Sequence, residues 1–161
     1  MLDAIVEALK AGGRDMRTSR LLFFGLLSCF WILSAAPGAA DGAVATGVPS
    51  SVVKNGVAQG YSVRAKTPDE AREVAMGYCG DVKKSSKEAV ALCKVVKIFR
   101  DQCVALALDP QPGTPGYGWG IGIDKDAAGK ASLAMCLDTA GVDRRKFCKV
   151  IASDCDGTAN K

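Results

Sequence analysis

Histidine is absent from all 161 residues. That excludes Ser-His and Cys-His catalysis, histidine zinc sites and histidine proton shuttles. Glutamate is scarce: beyond residue 40 it occurs only at Glu70, Glu73 and Glu88. No two cysteines stand at C-x-x-C spacing, so the usual zinc-ribbon pattern is missing. Aromatics make up 6% of the chain, which allows only a modest large-residue core. Neither sign of charge dominates. The net charge of +4 is too mild for a nucleic-acid-binding domain. Hydrophobic residues at 48% and charged residues at 24% describe a globular chain, and the length allows one ordinary domain.

The longest apolar run, Leu21 to Leu33, falls short of the ~20 residues that span a bilayer. Arg17 and Arg20 precede it, and the small-residue stretch Ser34 to Ala40 follows. A basic start, an apolar centre and a small-residue cleavage site predict a secretory signal peptide over 16–40. Residues 1–15 are expected to be an over-long start, since the pattern begins cleanly at Met16. The other reading of Leu2, Ile5, Val6 and Leu9 is a short amphipathic helix. Cys29 sits in Leu26-Leu27-Ser28-Cys29, which resembles a lipoprotein box. The apolar run continues through Phe30 to Leu33, and a better cleavage site lies downstream. A lipid anchor at Cys29 is therefore the alternative. The expected mature chain begins near Asp41. Residues 41–56 are expected to be a flexible segment, and 57–161 one cysteine-rich globular domain. Localisation is expected to be periplasmic or extracellular.

Residues 41–161 carry 17 Lys and Arg against 14 Asp and Glu, a net +3. They hold Cys79, Cys93, Cys103, Cys136, Cys148 and Cys155. An even cysteine count in an exported chain predicts a disulfide framework, with fifteen possible connectivities for three bridges. No metal and no cofactor are expected.

The chain resembles itself. Asp69 to Cys79 aligns without gaps on Asp126 to Cys136, sharing the aspartate, an alanine and the cysteine. Cys93-Lys-Val-Val96 matches Cys148-Lys-Val-Ile151, and Tyr61 to Ala65 matches Trp119 to Ile123. Local signals fit. Pro68, Asp69, Glu70 and Glu73 have helix-start composition, and Ala71, Val74, Ala75 and Tyr78 recur at helical spacing. Asp124 or Asp126 can cap a second helix bearing Ala128, Ala131, Leu133 and Met135. Strands are predicted at Val95 to Phe99, Val104 to Leu108 and Val150 to Ile151. Asp109-Pro-Gln-Pro-Gly-Thr-Pro-Gly116 predicts an exposed hairpin tip.

Cys93-Lys-Val-Val, Phe99-Arg-Asp-Gln-Cys103-Val-Ala-Leu-Ala107 and Gly118-Trp119-Gly120-Ile121-Gly122 through Cys148-Lys-Val together resemble the bacterial secreted domain-of-unknown-function family DUF4189. The resemblance covers roughly Tyr61 to Cys155. It implies export and a compact disulfide domain, and it carries over no catalytic residue. Arg144-Arg145-Lys146-Phe147-Cys148 lies outside that pattern.

The paired halves predict equivalent bridges Cys79–Cys93 and Cys136–Cys148, leaving Cys103–Cys155. The expected fold is α+β: a mainly antiparallel sheet with two helices on one face, from pseudo-duplicated strand-helix-strand halves. A ferredoxin-like order is the simplest version.

Several motifs carry structure rather than chemistry. Asp124-Lys-Asp126 begins like a calcium loop, but Ala128 and Met135 stand where ligands should. Ser51-Val-Val-Lys54 lacks the companion motifs of penicillin-binding enzymes. Gly116, Gly118, Gly120 and Gly122 alternate with larger residues, which predicts a strand face closely packed by a helix or another backbone, with an aromatic ligand groove as the alternative. Glu70 and Glu73 are a solvated first helical turn. The remaining binding candidates are two basic loops, Lys83, Lys84 and Lys87, and Arg144, Arg145 and Lys146. Tyr117 and Trp119 join them as candidate interface anchors. The expected function is a non-enzymatic binding module of the bacterial envelope. It could inhibit or neutralise another secreted protein, or bind an anionic envelope component. The alternatives are a two-carboxylate glycan hydrolase and a structural or stress protein without a discrete ligand. No nucleic acid is expected as a partner, contact with the membrane is expected only through the signal peptide, and oligomeric state is left open.

Overall fold

A computed structural model describes residues 41–83 and 85–160. The predicted signal peptide, Cys29 and Lys84 lie outside the described residues. Six strands and four short-to-medium helices follow one another as β1 (Asp41–Gly47), α1 (Val52–Asn55), β2 (Ala58–Ala65), α2 (Pro68–Gly80), α3 (Lys87–Ala91), β3 (Lys94–Phe99), β4 (Cys103–Leu108), β5 (Tyr117–Gly122), α4 (Lys125–Thr139) and β6 (Lys149–Cys155).

The helix starts are written locally. Thr67 Oγ1 accepts the Glu70 N–H at 3.1 Å, while Glu70 reaches back to the Lys66 N–H at 2.8 Å. Each satisfies an orphan donor at the start of α2, behind Pro68 at the first turn. Asp124 caps α4 through the Ala127 N–H at 2.7 Å. Ser51 caps α1, so its hydroxyl serves the backbone.

The strands form two antiparallel three-stranded sheets, ordered β2-β1-β3 and β5-β4-β6. The expected α+β class and all three predicted disulfides are present: Cys79–Cys93, Cys136–Cys148 and Cys103–Cys155. Two details differ from expectation. There are two sheets rather than one, each covered by its own helix. Residues 41–56, expected as a flexible segment, contain β1, the central strand of the first sheet, with every residue buried. Each half is thus strand-strand-helix-strand, and β1 holds the place that β4 holds in the second.

Side-chain size sets the layering. Toward α2 the first sheet presents Ala43, Ala45 and Ala58, and the helix answers with Ala71, Ala75 and Cys79. In the second half Cys103 and Ala105 meet Ala128 on α4. A Cβ at Gly118 would run into the Ser132 carbonyl and the Cys136 amide, and one at Gly120 into the Ser132 amide and Ala128 carbonyl. The alternating glycines therefore bring α4 down onto the strand, as expected. The larger residues meet between the sheets: Val44, Phe99, Tyr61 and Val63 against Val104, Leu106, Trp119 and Ile121. The order of layers is helix, sheet, sheet, helix.

The halves close differently. β1–β3 shifts register between Val44 and Ala45, and β4–β6 between Leu106 and Ala107. Aligning these shifts places Asp41 on Cys103 and Arg100 on Cys155. The first half ties that corner with a two-point ion pair, Arg100 to Asp41 at 2.8 and 3.0 Å. The second half ties it with a disulfide. Between the halves, the fully buried Asp156 accepts the Arg64 N–H at 2.6 Å and the Asp101 N–H at 3.3 Å. Both donors lie in the left-handed region, at φ 62° and 53°, so one carboxylate holds two backbone turns.

Candidate functional site: two adjoining clefts

Two clefts open between the layers. The first, about 440 Å³, runs along Gln59–Val63 of edge strand β2, with Val74 and Tyr78 of α2, Leu106 and Asp154. The second, about 550 Å³, is bounded by the β4–β5 hairpin, Val52, Val82 and Ser85, and Lys149 and Ile151 of β6. Gln59 and Leu106 line both.

Gln59 is the unusual group. It is 9% exposed, and its Nε2 donates to the Gly118 carbonyl at 3.2 Å. Since a carbonyl can only accept, this bond fixes which end of the amide faces Gly118. Oε1 then lies buried with no hydrogen-bond partner among the described residues. An orphan buried acceptor costs about 1–3 kcal/mol. Two hydroxyls that line the second cleft are already committed. Ser85 Oγ donates to the Val57 carbonyl at 2.7 Å, and Thr114 Oγ1 donates to the Gln111 carbonyl at 2.7 Å.

The sequence-predicted basic residues have different fates. Arg144 is not available to an external anion. It grips the fully buried Asp109 carboxylate at 2.7 and 2.8 Å and lies 4.0 Å from the centre of the Phe147 ring. That pair anchors the hairpin to the turn at Val142–Phe147. Arg145 donates to the Leu137 carbonyl at 3.1 Å, and Lys146 lies 5.1 Å from the Phe147 ring centre. Lys83 and Lys87 are exposed. Trp119 is half-buried and packs in the inter-sheet core, so it is a packing residue rather than a presented anchor. Tyr117, also half-buried, pairs with Leu108 and exchanges backbone bonds with Thr139 Oγ1.

The residues that sequence reasoning missed are Gln59, Lys149 and Ile151. Lys149 is exposed and forms no ion pair among the described residues. Ile151 is 48% exposed on the wall of the second cleft. The structure therefore does bring parts of both loop regions to one place. Val82, beside Lys83, faces the same cleft as Lys149, the residue after Cys148. Among the described residues no cluster of His, Cys, Asp or Glu could hold a metal ion. No helix among them is long and apolar enough to cross a membrane.

Three titratable groups are displaced. The Arg144 hydrogen bond holds the Asp109 carboxyl below its usual range, against burial and with help from the Gln111 N–H; the same bond raises Arg144. Burial, then the charge of Asp154, pushes the Tyr61 hydroxyl up. A carboxyl with a lowered folded pKa contributes stability that is complete above its unfolded value, about 4, and is lost as pH falls through the folded one. Unfolding followed by Trp119 fluorescence is expected to show an acid-side loss of stability below about pH 4. Asp109→Asn, already less stable at neutral pH, should show a shallower loss. An unchanged acid profile in that variant contradicts the role given to Asp109.

Fold and bridges define a small disulfide-stabilised α+β domain of two like-connected halves, of the kind suited to an oxidising, non-cytoplasmic environment. The chain belongs to the domain-of-unknown-function family DUF4189, whose model matches residues 42–155. The match begins inside β1, in line with that strand belonging to the domain. No curated protein and no solved structure matches the chain.

Proposed function

We propose that the chain is an exported, non-enzymatic binding module of the bacterial envelope, and that the second cleft is its binding site. The observation that carries this reading is Gln59: a buried acceptor without a partner among the described residues, set where two clefts adjoin. Further support comes from how the charged groups are used. A glycan hydrolase needs two carboxyls facing across one cleft. The lining of the first cleft offers Asp154 alone, and that of the second Asp109 alone. Asp109 is committed to Arg144, and Asp154 to Arg64 and the Cys155 N–H. Three bridges supply a rigid frame, and Lys149 on the rim, with Lys83 beside Val82, favours an anionic partner.

The test is native mass spectrometry of the domain after exposure to an envelope extract, wild type beside Lys149→Glu. One adduct, weakened by salt and absent from the variant, is the expected result. Identical spectra for the two proteins overturn the reading. Export is checked by intact mass of the full-length chain's product recovered from cell fractions, which should place the N-terminus near Asp41.

A further inference from the structure

We infer that the second cleft takes an amphipathic N-acyl carboxylate: an apolar chain, an amide N–H and a terminal carboxylate. This rests on the cleft being the binding site, and specifies what it accepts. The walls are apolar, with Val57, Val82, Leu106, Leu108, Pro112 and Ile151, and a volume of about 550 Å³ suits a ligand of several hundred daltons. Ile151 exposes nearly half its surface there, and an acyl chain would cover it.

The polar requirement is narrower. Gln59 Oε1 needs a donor, because Nε2 is held by the Gly118 carbonyl. The hydroxyls of Ser85 and Thr114, which line the same cleft, donate elsewhere. Gln59 lines the cleft, so an N–H arriving there is the donor that Oε1 lacks while Nε2 keeps the Gly118 carbonyl. A plain fatty acid chain brings no such donor. At the rim, Lys149 is an exposed cation whose backbone is fixed beside the Cys136–Cys148 bridge. The one carboxylate lining the cleft, Asp109, is neutralised by Arg144, so an entering anion meets no uncompensated negative charge. Donor inside, anion outside and an apolar chain between describe the ligand.

Three matched probes test this by calorimetric titration of the disulfide-bonded domain. N-octanoylglycine carries every feature. N-octanoylsarcosine replaces the N–H by N–CH₃, and N-octanoylglycinamide removes the charge. Wild type is expected to favour the first over the second by about tenfold, the scale of one lost hydrogen bond. Gln59→Met should lose that preference; it also takes away the donor to the Gly118 carbonyl, so its fold is checked by circular dichroism. Lys149→Met should lose the preference for the carboxylate over the amide, and Tyr78→Ala, in the first cleft, should change nothing. Equal binding of the N–H and N–CH₃ probes to wild type overturns the inference whether or not any variant folds. So does loss of binding in Tyr78→Ala. If no probe binds while the extract adduct persists, the ligand class is wrong and the binding-module reading stands. If the adduct is missing too, that reading falls with it.

Discussion

Replacing Cys103 and Cys155 by alanine is expected to cost about 4 kcal/mol, the largest effect of any single pair, because their bridge closes a span of 52 residues. Cys79–Cys93 and Cys136–Cys148 close spans of 14 and 12, for which the same chain-entropy model gives about 3 kcal/mol. The structural context points the same way. Cys103 begins the central strand of the second sheet and Cys155 ends its neighbour, directly paired in register. Cys103 and Cys155 are both buried beside Ala128 of α4. In the first half the equivalent corner is held by Asp41 and Arg100; among the described residues the second half has no ion pair in that place. Urea unfolding of the three double-alanine variants checks the ranking. A loss at Cys103/Cys155 no larger than at the two short loops contradicts it.

Gly120→Val is expected to destabilise by about 2–3 kcal/mol, the scale of overpacking against a surface that cannot yield. The new Cβ would meet the Ser132 amide, the Ala128 carbonyl and the Ala131 methyl. Two of those three are backbone, so the cost is relieved only by lifting α4 off the sheet. Lifting it also strains the seating of Cys136 and its bridge to Cys148. Gly77 supplies the opposite case. A Cβ there meets nothing within 4 Å. In the interior of α2, Gly77→Ala should stabilise by about 0.5–1 kcal/mol through backbone entropy alone. Thermal unfolding of both variants reads the two signs. Tolerance of valine at Gly120 would mean that the glycine alternation is not what seats the helix.

What could be foreseen from the residues follows a physical line. The α2 and α4 starts were legible because helix-start signals are local: Pro68, Asp69 and Glu70 stand in the first turn of α2. Of the two candidate caps of α4, Asp124 and Asp126, Asp124 is the one used, while the Thr67 cap came only with the structure. The bridges were legible because Cys79 and Cys136 end matching helices. β1 was not. Gly42-Ala-Val-Ala-Thr-Gly47 contains no aromatic residue and shows no alternation of polar and apolar positions, because both its faces are covered. Its strand character comes from partners on both sides, one of which, β3, lies far along the chain. Arg144 presented the same difficulty. Its neighbours Arg145 and Lys146 make a cationic run, while its partner Asp109 stands 35 positions earlier. Gln59 was visible only as a polar residue in phase with Tyr61 and Val63. That phase places it on the inter-sheet face, and its unmet acceptor emerges only once Gly118 is set against it.

The most direct test of the second cleft as the binding site is a heteronuclear NMR titration of the isotopically labelled, disulfide-bonded domain with N-octanoylglycine. The account predicts shifts concentrated at Gln59, Leu106, Leu108, Lys149 and Ile151, with the Gln59 side-chain amide among the largest. Shifts centred on Val74 and Tyr78, or spread evenly over the exposed lysines and Arg145, would contradict it.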